Sequence, residues 1–244
     1  MPVQVVALTL GASLAGRLPA TYHRICSRLL GFDITVRGKM ASATPALFVG
    51  NHVSYLDIMV LGTVIEGCFI AKSEVAKWPL FGWLAKLQRT VFVERRSPRS
   101  AHQRDEISAR LAAGDRLILF PEGTSDDGVK VLPFKSALFA VAETAADGTT
   151  LLVQPFSIAY TALAGLPVGR EWRPLFSWYG DMALGSHAWR ILTFSRVRVE
   201  LRFHEPVTID QFRSRKLLAQ HCYEVVRDGA AEANAGRCSE SVPA

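Results

Sequence analysis

Paired cysteine spacing is missing: Cys26, Cys68, Cys222 and Cys238 stand alone in the 244 residues. That fits a reducing compartment or a cytoplasmic membrane face rather than a disulfide-built secreted domain. Neither a C-x-x-C nor an H-E-x-x-H run occurs, so no structural zinc is expected. The chain also lacks a G-x-S-x-G elbow, which counts against hydrolysis through a serine nucleophile. Aromatic-rich RNA-binding signatures and a base-reading basic helix are absent, which argues against a nucleic-acid partner. Long apolar runs are short or broken. Met1 to Gly16 is uncharged, but it falls short of the roughly 20 residues needed to span a bilayer and has no basic leader. Residues 148–169 are uncharged too, yet Pro155, Pro167 and several glycines interrupt them; they read as a buried strand followed by a loop. A monotopic or peripheral protein is expected, with the N-terminus as its membrane contact.

What the chain does have is charge and apolar content together. Its net charge is +6, its pI about 9.4 and its apolar fraction 49%, a balance that suits an anionic lipid surface. Tyr22, Ile25, Cys26, Leu29 and Leu30 follow the spacing of an amphipathic helix. Short apolar runs at Asp33–Arg37, Ala46–Val49, Cys68–Ala71, Thr90–Glu94, Arg116–Phe120 and Leu151–Ala159 read as strands. Helical patterns alternate with them at Tyr55–Leu61, Trp78–Leu87, Ala101–Ala113 and Lys135–Thr144. This alternation predicts an α/β fold with a mostly parallel central sheet flanked by helices. Val197, Val199, Leu201 and Phe203 alternate with polar residues, so one face of that strand should be wet. A last helix is expected, with Thr208 and Gln211 at capping-box spacing and Gly229 as its stop. The expected organisation is therefore a membrane-associating helical segment over 1–30, one domain over 31–229 and a disordered tail over 230–244.

Four stretches have the makings of a site. In FVGNHVSYLD a strand runs into a turn carrying His52, with Asp57 five positions on. A carboxylate returning to the imidazole would fix one tautomer and support the imidazolium formed in base catalysis. Ser54 and Asp57 are equally well spaced for a capping box, which would occupy Asp57 with backbone amides. In FPEGTSDDG, Gly123 permits a positive φ, and Glu122 stands where it could position a hydroxyl or a cation. In TVFVERRSPRS, Arg95 and its neighbours end a strand, where guanidinium groups suit phosphate or carboxylate. In VQPFSIAY, Pro155 interrupts a strand, which suggests an edge or a strand start near the site.

In this order NHVSYLD, TVFVER, FPEGTS and VQPFSI resemble the four blocks of the glycerolipid acyltransferase family, whose best-known members acylate 1-acyl-glycerol-3-phosphate. The resemblance spans residues 22–205. It implies that His52 is the general base on the acceptor's free hydroxyl and Asp57 its orienting partner. The hydroxyl would attack an acyl-carrier-protein or coenzyme A thioester, without a covalent acyl-enzyme, a metal or a further cofactor. Arg95, Glu122, Gly123 and Thr124 match positions that serve the acceptor's polar head, and Pro155 matches the acyl or donor side. The implied product is phosphatidic acid, made at the cytoplasmic face of the inner membrane.

The chain departs from the family pattern at Arg89, where glycine is common, and at Ser125, where arginine is common. Asp126 and Asp127 follow, and would repel a bare phosphate. These positions are candidates for head-group selectivity. The resemblance includes lyso-ornithine lipid acyltransferases, whose acceptor carries an amine and a carboxylate; the added acids would suit that amine. Trp78, Leu80, Phe81, Trp83 and Leu84 are expected either to meet lipid and line an acyl groove or to fill core, with core filling the expectation for at least three.

Overall fold

The computed structural model describes residues 2–9, 14–78, 80–93, 100–143 and 151–237. Its sheet runs β1 (Phe32–Arg37), β8 (Val197–Phe203), β6 (Leu152–Leu163), β2 (Ala46–Gly50), β5 (Arg116–Leu119), β3 (Cys68–Lys72), β4 (Val91–Val93), with the short β7 (Leu166–Pro167) and β9 (Val207–Thr208) pairing β6. All pairs are parallel except those β6 makes with β7, β8 and β9. The mostly parallel sheet expected from the sequence is present.

Both faces are covered, as a parallel sheet requires. Ala46 and Phe48 of β2 face one core, built with α3 (Leu56–Val64) and α6 (Leu184–Leu192). Leu47 and Val49 face the other, built with α5 (Ser100–Ala112), the 3₁₀ turns of Ser136–Glu143 and α7 (Arg215–Asn234). β2 and β5 end side by side, Val49 opposite Leu119. The segments leaving their C-terminal ends, 51–55 and 120–128, therefore emerge together, where ligands of open α/β sheets bind.

At the N-terminus lie α1 (Pro2–Thr9) and α2 (Leu14–Leu29). The amphipathic pattern of α2 is real, and its apolar stripe points outward: Tyr22, Ile25 and Leu29 are 39%, 52% and 81% exposed. Its polar face is the buried one. His23 bonds Gln88, Ser27 bonds Thr63 at 3.1 Å, and both lie against α3 or α4 (Phe81–Leu87). Among the described residues, no helix is long and apolar enough to cross a membrane.

Several local expectations are corrected. The final helix runs through Gly229 to Asn234, so the expected tail from 230 begins as helix. Gly229 is there for space: a Cβ would meet His204 and Ser157 at 2.5–2.7 Å. Thr208 and Gln211 do form a capping box, but on the single turn Ile209–Gln211; α7 is capped by Ser214, whose side chain accepts from the Leu217 amide. On β8 the wet face is incomplete, because Glu200 is buried beside Arg37 at 3.1 Å. Pro155 marks neither an edge nor a strand start. It lies within β6, where that strand's partner changes from β9 (opposite Leu152 and Val153) to β8 (from Phe156 onward). Its carbonyl accepts from the His204 amide on that side. A residue's N–H and C=O point the same way in a strand, so the missing donor falls in the gap between the two partners. None of Trp78, Leu80, Phe81, Trp83 and Leu84 fills core: Leu80 and Trp83 are 64% and 68% exposed, and the others are half-buried.

Candidate active site

β2 leads into the turn Asn51–Tyr55, which is pinned from both sides. The Asn51 side chain acts like one more strand residue: its Nδ2 donates to the Ile158 carbonyl and its Oδ1 accepts the Ile158 amide, both at 2.9 Å. Gly50 permits the close pairing with β6, since a Cβ would fall 2.3 Å from the Phe156 ring.

His52 and Asp57 come together as the spacing suggested. Nδ1 of His52 lies 2.8 Å from Asp57 Oδ2. A carboxylate only accepts, so Nδ1 carries the proton and Nε2 is left as the basic nitrogen. Of the capping-box alternative only the Asp57 half forms: Oδ2 accepts the Val53 and Ser54 amides at 2.7 and 3.0 Å, while Ser54 Oγ accepts the Leu56 amide at 3.1 Å. Oδ1 accepts from the Tyr160 hydroxyl at 2.8 Å. Four donors thus hold a fully buried carboxylate, which satisfies the requirement for keeping such a group inside. The His52 ring stacks on Phe120, with centroids 4.0 Å apart and planes at 16°, so its plane is fixed as well as its edge. Burial, with Asp57's charge adding to it, holds the Tyr160 hydroxyl well above its usual range, which keeps it a donor.

Glu122 sits beside this pair and is buried. Its Oε1 accepts the His52 amide at 2.7 Å and its Oε2 the Leu132 amide at 2.9 Å. Burial pushes its carboxyl up to about 8 against the pull of those amides, and the charges of Asp57 and Asp126 add to the rise. In this geometry Glu122 braces the His52 turn against the FPEGTS loop. Gly123 takes φ +64°, the left-handed conformation its lack of a side chain permits. Thr124 is exposed. Ser125 donates to the Trp178 carbonyl at 2.6 Å, tying its loop to a distant segment, and Asp127 accepts the Val129 amide at 2.8 Å within a local turn. Asp126 remains the half-buried acid near Glu122.

One expected site residue is not brought here. Arg89 precedes β4, at the other end of the sheet, and pairs with Asp115 at 3.0 Å. It has φ +61°, which accounts for the glycine usual at that position. Its distance from the turn removes it as a head-group residue. Arg95 lies outside the described residues. Pro155 lies in β6 opposite Val49, just before the site strand ends. Among the described residues, no group of His, Cys, Asp and Glu is arranged to hold a metal ion.

The turn separates two cavities. One, of about 330 Å³, is lined by Asn51, His52, Val53 and Glu122 together with Lys130, Arg173 and the last turns of α7. The other, of about 350 Å³, is an apolar groove between α2, α3 and α4, walled by Tyr55, Ile58, Phe69, Trp78, Phe81 and Leu84. Asn51, Tyr160 and Arg173 escaped the sequence reading. Asn51 had a visible signal, a polar residue beside His52 at a strand end; Tyr160 looked like any strand aromatic.

A further serine–histidine contact exists, Ser157 Oγ to His204 Nε2 at 3.1 Å. It is closed over by α7 at Gly229, and burial, then Arg202, lowers His204 to about 4. That pair does not make a nucleophile and base.

Comparison with known proteins agrees with this geometry. The Acyltransferase family model matches residues 33–159. A lyso-ornithine lipid O-acyltransferase of Brucella abortus is 48% identical over 231 residues, covering 93% of this chain and 86% of that protein. A 1-acyl-sn-glycerol-3-phosphate acyltransferase of Neisseria gonorrhoeae is 33% identical, covering 72% of this chain and 66% of that protein. Among solved structures, PlsC of Thermotoga maritima, a 1-acyl-sn-glycerophosphate acyltransferase, superposes with a TM-score of 0.65 at 27% identity, covering 92% of this chain and 81% of that one. The chain therefore belongs to the acyltransferase family, as an O-acyltransferase of the lysolipid type.

Proposed function

We propose that the protein transfers a fatty acyl group from an acyl-carrier-protein or coenzyme A thioester to the hydroxyl of lyso-ornithine lipid, with His52 as general base. The observation that carries the chemistry is the bond from His52 Nδ1 to Asp57, which leaves Nε2 facing outward from a fixed ring. Nε2 takes the hydroxyl proton as the oxygen attacks the thioester carbonyl. The C–O bond forms, the C–S bond breaks, and the imidazolium returns its proton to the departing thiolate. Asp57 supports the transient imidazolium, and Glu122 with Gly123 keeps the FPEGTS loop against the turn. The apolar groove suits an acyl chain, and no charged side chain lines it among the described residues.

The acceptor reading differs from the phosphatidic acid product implied by the best-known members of the family. It rests on the name of the Brucella relative, at 48% against 33% for the Neisseria one, and on residue chemistry. Ser125 replaces a cation and is tied to a carbonyl, while Asp126 adds an acid beside the site. An acid there favours an amine-bearing head over a phosphate.

The membrane contact follows from where apolar groups are exposed. Tyr22, Ile25 and Leu29 of α2, Trp83 of α4, and Trp189 and Leu192 of α6 are all exposed, whereas α7 exposes only Leu217. The chain leaving α2 and the chain leaving α6 meet where β1 and β8 begin, the Gly31 carbonyl accepting the Val197 amide. Exposed Arg17, Arg24, Arg28 and Arg190 flank these residues. Aromatic side chains mixed with arginine suit the interface of an anionic membrane. We place this face on the cytoplasmic side of the inner membrane. The test is acyl transfer in mixed micelles with lyso-ornithine lipid and lysophosphatidic acid offered separately; preference for the latter would overturn the acceptor assignment.

A further inference from the structure

The cavity beside His52 contains a cation with no counter-charge. Arg173 donates from Nη2 to the Asn234 carbonyl at 3.0 Å, at the end of α7. Its Nε is buried without a hydrogen-bond partner, and no carboxylate lies within ion-pair distance of its guanidinium among the described residues. The other cations on this wall are differently placed: Arg227 is paired with Asp228 at 2.8 Å and lies over Tyr223, and Lys130 is exposed. Burial and the neighbouring Arg170 both lower the Arg173 pKa, so the surroundings disfavour its charge. A guanidinium nevertheless stays charged. An unpaired buried donor on a charged group is costly, and a ligand that supplies the missing acceptor removes that cost.

The position of Arg173 is fixed relative to the reacting base. It lies in the 3₁₀ turn Arg170–Leu175, and the chain just beyond is tied to both site loops. The Trp178 amide donates to the Val53 carbonyl at 3.2 Å, and the Trp178 carbonyl accepts from Ser125 at 2.6 Å. Gly128 leaves the space between these loops open, because a Cβ there would meet Ser177 and Val53 at 3.0 and 3.1 Å. Small residues, Ala230 and Ala231 of α7 and Ala235 just after it, form another part of the wall.

We infer that Arg173 binds the carboxylate of the acceptor's amino-acid head group and thereby sets acceptor specificity from outside the four blocks. The planar fork matches two carboxylate oxygens, and Arg173 lines the cavity with no acid paired to it among the described residues. The inference rests on the lyso-ornithine acceptor proposed above and names the residue that reads that head.

The test is a two-by-two comparison. Wild type and Arg173→Gln are each assayed in mixed micelles with lyso-ornithine lipid and with the same lipid carrying a carboxamide in place of its carboxylate. In wild type the carboxamide should raise the acceptor KM by about 10- to 100-fold. Arg173→Gln should raise the lyso-ornithine KM similarly, add little for the carboxamide, and leave the donor KM unchanged. If wild type uses both acceptors equally, or the substitution weakens both equally, the inference is overturned while the acceptor assignment stands. Transfer to lysophosphatidic acid alone would overturn both. Should Arg173→Gln fail to fold, because the Asn234 bond is lost with it, the wild-type arm still decides, and Arg173→Lys supplies a charge-retaining variant.

Discussion

The two cavities flanking residues 51–59 are of nearly equal volume and opposite chemistry. The one beside His52 is lined by Glu122, Lys130, Arg173 and Arg227; the groove on the far side of the turn has no charged side chain among the described residues. Its one titratable imidazole, His23, is pushed toward the neutral form by burial. The difference shows how one turn serves an amphiphilic substrate. A lysolipid has a polar head, an apolar chain and a hydroxyl between them, and the nine residues 51–59 supply wall to both cavities and the base between. The contrast in bonding is equally plain: Asp57 has four donors and Glu122 two amides, whereas the Arg173 Nε has nothing. The carboxylates that hold the machinery are saturated, whereas the guanidinium proposed to meet ligand has no acid beside it among the described residues.

The sharpest way to break this comparison is to remove the base. His52→Ala should lower kcat by about 10²–10⁴, with thermal melting nearly unchanged, because the ring makes one side-chain bond. Asp57→Asn should lower kcat comparably through a misplaced tautomer. It should also destabilise the fold by about 1–3 kcal/mol, since an amide nitrogen would face the Val53 and Ser54 donors; denaturant unfolding reads that second effect.

On the groove side, Ala71→Leu should reduce kcat/KM for long-chain donors about tenfold relative to short ones, by excluding roughly two methylenes from the wall. An equal loss for all chain lengths would remove the groove from acyl binding. At the surface, Trp83→Ser with Trp189→Ser should weaken binding to anionic vesicles several-fold and leave transfer to micellar substrate intact; flotation measures it.

The smallest effect concerns pH. Glu122 in the folded protein titrates at about 8, above its ordinary value of 4.5. Between those values the native state holds a proton that the unfolded chain has lost. Stability therefore falls as pH rises through that window, and the loss is complete above the folded value. Glu122→Gln should flatten the decline in melting temperature between pH 6 and 9.

Much of this was legible in the sequence because period and spacing are local. Strand positions followed apolar runs, and the His52–Asp57 separation matched a single turn. What was not legible depends on partners distant in the chain. Gly229 resembles a helix stop until His204 is seen packed against it. Pro155 resembles an edge signal until β6 is seen to exchange partners there. The spacing of α2 marks two faces, but only the partners Gln88 and Thr63 show that the polar one is buried. Arg173 sits in EWRPLF, a loop without motif, and only the cavity wall reveals it.

The most direct test of the central claim is acyl transfer to lyso-ornithine lipid by wild type and His52→Ala, with folding of both verified by melting. Robust transfer by wild type, with loss of at least about a hundredfold in the folded variant, is the predicted result. Undiminished transfer by folded His52→Ala would contradict it.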